Sequence, residues 1–133
     1  AAGDPNNDYY YLVTTALQAE LAPGDLVILR GNILDVYIPF YAQHSGFLSL
    51  REAEYNTGND RAAVMAEIFR RMDEAQSTGV VVWIDQILLD EPRSADRNPF
   101  GLLPVEIEAL KARYSIQPGV ASNGSNVWYR IAP

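Results

Sequence analysis

Two short apolar runs, Leu26-Val27-Ile28-Leu29 and Val80-Val81-Val82-Trp83-Ile84, stand out along the chain, and each stops abruptly at polar residues. Helix-like periodicity flanks both. A strand that alternates apolar and polar residues has one dry face, whereas an unbroken apolar run of this length fits a strand screened on both faces by covering helices. Before the first run, Asp8 is placed to cap a helix in which Tyr9, Leu12, Val13, Ala16, Leu17 and Leu21 recur near helical spacing, and Pro23-Gly24 stops it. The strand then spans Asp25 to about Arg30. After a Gly31-Asn32 turn comes a second amphipathic stretch, in which Pro39 favours a loop or kink before Phe40, Tyr41 and Ala42, and Gly46 ends it. Phe47 to Leu50 alternates as a short strand does.

Farther along, Arg51 to Asn59 is polar and rich in turn formers, and Asp60 caps the strongest helical pattern, with Ala63, Val64, Ala66, Glu67, Ile68, Arg71 and Met72 mixed at helical spacing, up to Gly79. The second apolar strand runs on to about Asp85 and leads toward a long loop from Leu89 to Leu103. Pro104 then suits the first position of a helix that directs Ile107, Leu110 and Ala112 inward as far as Arg113. The tail turns at Pro118-Gly119 or at Asn123-Gly124 and closes on Val127-Trp128-Tyr129-Arg130-Ile131, two strands of an edge hairpin. Parallel strands cannot be joined by tight turns, so the order α-β-α-β-α-β-α-β-β calls for crossover helices on both faces of the sheet. The expected fold class is therefore α/β: a three-layer Rossmann-like sandwich with a mostly parallel sheet and a C-terminal antiparallel edge hairpin. Residues 1–7 read as a linker and residues 8–133 as a single α/β domain without internal repeats.

Composition sharpens this picture only in places. A chain of 133 residues, 48% hydrophobic and 20% charged, holds one ordinary core. The formal charge of −7, with ten scattered Lys and Arg, argues against nucleic acid as a partner, because phosphate neutralisation needs a clustered basic face. With no cysteine, thiolate catalysis, disulfides and cysteine metal sites all drop out. No apolar run approaches the roughly 20 residues that cross a bilayer.

In open α/β sheets ligands gather beyond the carboxyl ends of the strands, which directs attention to Arg30-Gly31-Asn32, Arg51-Glu52 and Asp85-Gln86, expected on one rim. Asp85, directly after a buried strand, is placed to hold a metal, accept a sugar hydroxyl or take a proton; its plainer roles are capping a turn or pairing with Arg30 or Arg51. Gly31-Asn32 offers backbone amides to an anion or serves as a simple turn, and neither a three-glycine fingerprint nor a phosphate-loop Lys-Ser/Thr accompanies it. Tyr37, Tyr41 and His44 follow one another at spacings of four and three, which places His44 to face a pocket as an acid/base or as part of an aromatic clamp for a sugar, although it suits a helix carboxyl end better. The eight tyrosines, Tyr55 among them, fit a carbohydrate or lipid-headgroup interface and equally fit amphipathic packing. The carboxylate pairs Glu52/Glu54 and Asp90/Glu91 read as solvated loop charge, and Glu106/Glu108 as helix positions that do not face each other. No aspartate-any-aspartate motif, Gly-x-Ser-x-Gly elbow or His-Glu-x-x-His occurs, and Asn123-Gly124-Ser125 matches a glycosylation acceptor. The ligand-binding candidates are thus Asn32, Tyr37, Tyr41, Asp85 and Gln86, with no catalytic residue, metal or cofactor expected.

The run Leu21-Ala22-Pro23-Gly24-Asp25-Leu26-Val27-Ile28-Leu29, the tyrosines from Tyr37 to Tyr41, Phe69-Arg70-Arg71, Val81-Val82-Trp83-Ile84 and the closing Asn126-Val127-Trp128-Tyr129-Arg130-Ile131 follow in an order that resembles a known family. That family is the soluble C-terminal extracytoplasmic domain of polytopic lipid-linked-sugar glycosyltransferases, the mannosyltransferase-like membrane proteins. The resemblance implies a periplasmic domain tethered behind transmembrane helices, with the membrane-embedded portion of the same parent chain as partner and a carbohydrate or lipid-linked sugar as ligand. It also implies that the catalytic acids lie in loops outside this segment, so that the segment is a non-catalytic accessory domain. Two other readings remain at this point: a free-standing Rossmann-like small-molecule binding domain or small enzyme using the strand-end rim, and an interaction module that pairs through its final hairpin.

Overall fold

The two apolar runs become adjacent parallel strands near the middle of a five-stranded sheet, with Leu26 opposite Val82 and Ile28 opposite Ile84. The computed structural model of the chain describes residues 13–31, 46–122 and 124–133. In chain order these form helix α1 (residues 13–18), β1 (Leu26–Leu29), β2 (Phe47–Ser49), α2 (Leu50–Asn56), α3 (Arg61–Ser77), β3 (Val82–Asp85), α4 (Gln86–Asp90), α5 (Pro104–Arg113), β4 (Gln117–Ser122) and β5 (Ser125–Ile131). The linker assigned to residues 1–7, the helix start at Asp8, the stretch with Asn32, Tyr37, Pro39, Tyr41 and His44, and the hairpin residue Asn123 lie outside the described residues.

Every residue of β1 and β3 is buried, and their side chains alternate between two apolar clusters. Leu26, Ile28, Val82 and Ile84 face a cluster built with Leu50, Val64, Ile68, Met72, Leu88 and Leu110 from α2 to α5. Val27, Leu29 and Trp83 face the other, with Val13 and Leu17 of α1 and Val120, Val127 and Trp128 of the hairpin. This two-sided burial explains why the runs lack polar alternation: each fully buried aliphatic side chain contributes about 1.5–3 kcal/mol of transfer free energy.

The sheet order is β2-β1-β3-β5-β4. β1 runs parallel to β2 and β3, while β5 runs antiparallel to both β3 and β4, so the sheet is mixed rather than mostly parallel. The reason lies in β5, which puts Ile131 into one apolar cluster and Trp128 into the other and so takes an interior place beside β3. Its partner β4 is left at the edge. The hairpin turns between Ser122 and Ser125; Pro118-Gly119 instead lies within β4 beside a register shift, an edge position where proline removes no ladder bond that the sheet requires.

Three local expectations change. The polar stretch after Leu50 is helix α2 rather than a turn region, because the Ser49 hydroxyl accepts the Glu52 N–H at its start and Leu50 and Ala53, one turn apart, both reach the core. Leu50 accordingly opens the helix instead of ending β2. Leu89 belongs to α4 and is buried with Leu88, so the loop begins at Glu91. By contrast, Asp60 accepts the Ala63 N–H as the cap of α3, and Pro104 begins α5 as expected.

At the amino end of the parallel strands, the buried Asp25 ties three segments together. One carboxylate oxygen accepts the Ala22 N–H at 2.9 Å and the Trp83 indole N–H at 3.0 Å, and the other accepts the Val81 N–H at 3.2 Å. The turn into β1 at Pro23-Gly24 is closed by Ala22 and Asp25: the Asp25 carboxylate accepts the Ala22 N–H, and the Asp25 N–H donates to the Ala22 carbonyl at 3.1 Å. Gly46, at φ +97°, passes so close that an added Cβ would lie 2.7 Å from the Asp25 carbonyl oxygen.

Candidate functional site

The carboxyl ends of β1, β2 and β3 lie side by side, as parallel pairing requires, and bring Arg30, Gly31, Arg51, Asp85 and Gln86 to one end of the sheet. The Arg51 N–H donates to the Arg30 carbonyl at 2.9 Å, which fastens the end of β1 to the start of α2. Gly31 takes φ +82°, and a Cβ there would sit 1.8 Å from the Ser49 hydroxyl oxygen, so only glycine permits this approach.

Of the roles open to Asp85, the structure shows the cap: its carboxylate accepts the Ile87 N–H at 3.1 Å and starts α4. Gln86 donates from its side chain to Asp90 at 2.8 Å, and the other oxygen of Asp90 accepts the Tyr129 hydroxyl at 2.7 Å. This hydrogen bond to Asp90, with some burial, pushes the Tyr129 phenol up to about 12. Asp85 and Gln86 therefore share the rim, while Asn32, Tyr37 and Tyr41 lie outside the described residues.

The structure brings further residues to this end of the sheet that the sequence reading did not single out. The loop after α4 folds back so that Phe100 lies under the Arg51 guanidinium, 4.4 Å from carbon to ring centroid. The loop is braced from within. The Asn98 side chain donates to the Glu91 carbonyl at 2.6 Å, the Ser94 hydroxyl accepts the N–H groups of Arg97 and Asn98, and the Arg93 N–H donates to the Leu102 carbonyl at 2.7 Å. Beside it opens a groove of about 410 Å³ lined by Arg51, Glu54, Tyr55, Gly58, Asn59, Arg93 and Phe100.

An ion network joins three of the lining residues, Glu54, Asn59 and Arg93, to Arg61 and Glu106. Arg61 donates to Glu54, to both oxygens of Glu106 and to Asn59, and Arg93 reaches Glu54 at 3.5 Å. Glu106 also accepts the Leu103 N–H at 2.8 Å, tying the start of α5 into the network. Burial alone would push the Glu106 carboxyl up, but the Arg61 hydrogen bonds, the Leu103 N–H and the Arg61 charge outweigh it and hold the group below its ordinary value. The same contacts, the Glu106 hydrogen bond foremost, raise Arg61 against the cost of its own burial. Glu54 is thus a partner, with Glu106, of a shared guanidinium rather than a solvated loop charge. The local signal for Glu106 is its position two residues after Pro104, where a glutamate reaches back to the free N–H of the helix start. Nothing local signals Arg93 or Phe100, whose position depends on how the loop folds back.

A larger groove of about 550 Å³ separates α2 from α3 and includes Ala53, Asn56, Ala66 and Arg70, the last already bound to Glu67 and Glu74. Among the described residues, no group of three His, Asp or Glu is placed to hold a metal ion. No helix among them is long and apolar enough to cross a membrane. Comparison of the chain with protein-family models, curated proteins and solved structures finds no match.

Proposed function

We propose that this chain is a non-catalytic accessory domain of a membrane-embedded glycosyltransferase-like protein, positioned on the extracytoplasmic, periplasmic face, where it holds an acceptor, a lipid-linked donor or a partner. The observation that carries the reading is the use made of the acidic side chains. Asp25 clamps three segments, Asp85 caps α4, and Glu54 and Glu106 share Arg61. A general acid or base must exchange a proton with a substrate within hydrogen-bond reach, and carboxylates committed to backbone and guanidinium donors are suited to structure instead. The groove beside them offers guanidinium, amide and aromatic groups, a set that binds and orients.

The run that carries the family resemblance also supports the reading. Two of the stretches that carry the resemblance, Pro23-Gly24-Asp25 and Val81-Val82-Trp83, meet at the Asp25 clamp. We further read the architecture as a three-layer, Rossmann-like sandwich, supported by α1 packing on Val27 and Leu29 opposite the face that α2 to α5 cover. The in-frame sequence ahead of Ala1 tests the proposal: several apolar spans of about 20 residues are expected, and a frame lacking them removes it. In the full-length parent, deleting this domain is expected to raise KM for the lipid-linked donor or the acceptor with kcat little changed, the signature of lost uniform binding. Loss of kcat at constant KM would assign chemistry to the domain and refute the reading.

A further inference from the structure

The geometry points to the groove over α2 as a binding site for a sugar phosphate, with the sugar ring against Tyr55 and Phe100 and the phosphate on Arg51. Among the described residues three large hydrophobic side chains are exposed, Tyr55, Phe100 and Val105, and two of the three line this one groove. Tyr55 keeps 89% of its surface in water although it stands on a helix with a packed inner face. Isolated exposed aromatics need no explanation, but two that line a common concavity offer apolar surface to the C–H groups of a sugar, Tyr55 with its ring and Phe100 with the part that the Arg51 guanidinium leaves uncovered.

The charges set the ligand's sign and direction. In a chain of formal charge −7, this groove is lined by two guanidiniums, Arg51 and Arg93, against one carboxylate, Glu54, which also binds Arg61 of the network shared with Glu106. Arg61 and Arg93 are engaged with those carboxylates. Arg51 is engaged through its face, over Phe100, which leaves its N–H edge available for the bidentate geometry that phosphate oxygens accept. Glu54 would repel a phosphate placed beside it, yet a carboxylate has about four lone-pair sites and retains capacity for a sugar hydroxyl. A ligand with hydroxyls at the Glu54 and Tyr55 end and an anion at the Arg51 end satisfies both. The volume of about 410 Å³ lies within the ~300–1,000 Å³ range of small-molecule sites. The braced loop and the Arg61–Glu54–Arg93 chain hold these groups in place before a ligand arrives.

This inference rests on the reading of the domain as a binding module and gives that module a ligand class. Calorimetric titration of the domain with glucose 1-phosphate, glucose, inorganic phosphate and AMP tests it. Glucose 1-phosphate is expected to bind about tenfold or more tightly than glucose or inorganic phosphate, since it alone uses both ends of the groove. Arg51→Ala is expected to weaken it by about tenfold or more and Tyr55→Ala by about threefold, with melting temperatures unchanged because both side chains are exposed. Absence of saturable binding, AMP binding as tightly as glucose 1-phosphate, or Arg51→Ala leaving the affinity unchanged would each overturn the inference. None of these outcomes touches the accessory-domain proposal, which the upstream reading frame and the KM-against-kcat comparison decide separately.

Discussion

Replacing Asp25 with alanine removes the acceptor for three N–H groups at once, and the cost follows from where each donor sits. The Trp83 indole N–H is fully enclosed and would lose a charge-assisted hydrogen bond without access to water, costing about 1.5–3 kcal/mol. The Val81 N–H is partly buried and adds about 1 kcal/mol, while Ala22 lies in an exposed turn whose N–H can turn to solvent at about 0.5 kcal/mol or less. The sum is about 2.5–4.5 kcal/mol. Urea unfolding followed by circular dichroism reads it directly: with a slope of about 1.5–2 kcal/mol/M, the midpoint should fall by about 2 M. Asp25→Asn keeps the shape and one acceptor oxygen but turns an amide toward N–H donors, so an intermediate loss is expected. A double-mutant cycle with Trp83→Phe isolates the indole contact and should return a coupling of about 1 kcal/mol or more. A midpoint shift below about 0.5 M for Asp25→Ala at unchanged slope would refute the clamp as a source of stability.

Other outcomes follow from the same geometry. Gly31→Ala should destabilise by about 3 kcal/mol, from the left-handed backbone and the collision with Ser49, visible as a lowered urea midpoint. Arg61→Ala leaves Glu54 and Glu106 without their shared cation and should cost about 3 kcal/mol, at the low end for a buried pair because the Arg61 side chain retains 23% exposure. Because the Glu106 carboxyl is held below its ordinary 4.5 when folded, the stability it contributes is present above that value and lost as pH falls through the folded one. The melting temperature should therefore drop below about pH 4.5, and Arg61→Gln should flatten that part of the profile. Burial and the Asp73 hydrogen bond push Tyr114 up to about 12, and the Asp90 hydrogen bond does the same for Tyr129. Both phenols then stabilise the fold below about pH 10 and cease to do so as pH rises toward 12. Ultraviolet titration should show one fewer late-ionising tyrosine in Tyr129→Phe, and likewise one fewer in Tyr114→Phe.

Legibility in the sequence tracked burial. The β1 and β3 runs, the Asp60 cap, the Pro104 helix start and the closing hairpin were readable because each is a contiguous signal with one physical meaning. Helix α2 was not, because only Leu50 and Ala53 of its seven residues are buried and its polar majority imitates a turn. Of the residues that line the groove, Arg51 is reached by the strand-end rule, which also leads to Asp85 and Gln86 outside that lining, whereas Arg93 and Phe100 sit about forty to fifty residues beyond Arg51 along the chain and reach it only when the loop after α4 folds back.

Hydrophobic runs, caps and proline positions act over a few residues through sterics and solvent exclusion, so the α/β character and the local elements other than α2 and α4 are legible in the sequence alone. Tertiary structure alone decided that β5 enters the sheet beside β3 and makes it mixed, because a strand with buried side chains on both faces must find two apolar layers. It alone also decided that Asp25 clamps Trp83, that Arg61 joins Glu54 to Glu106, and that two aromatic rings and a guanidinium share one groove. Those pairings join residues remote along the chain, and partner choice at such range is set by which surfaces the packed elements leave adjacent.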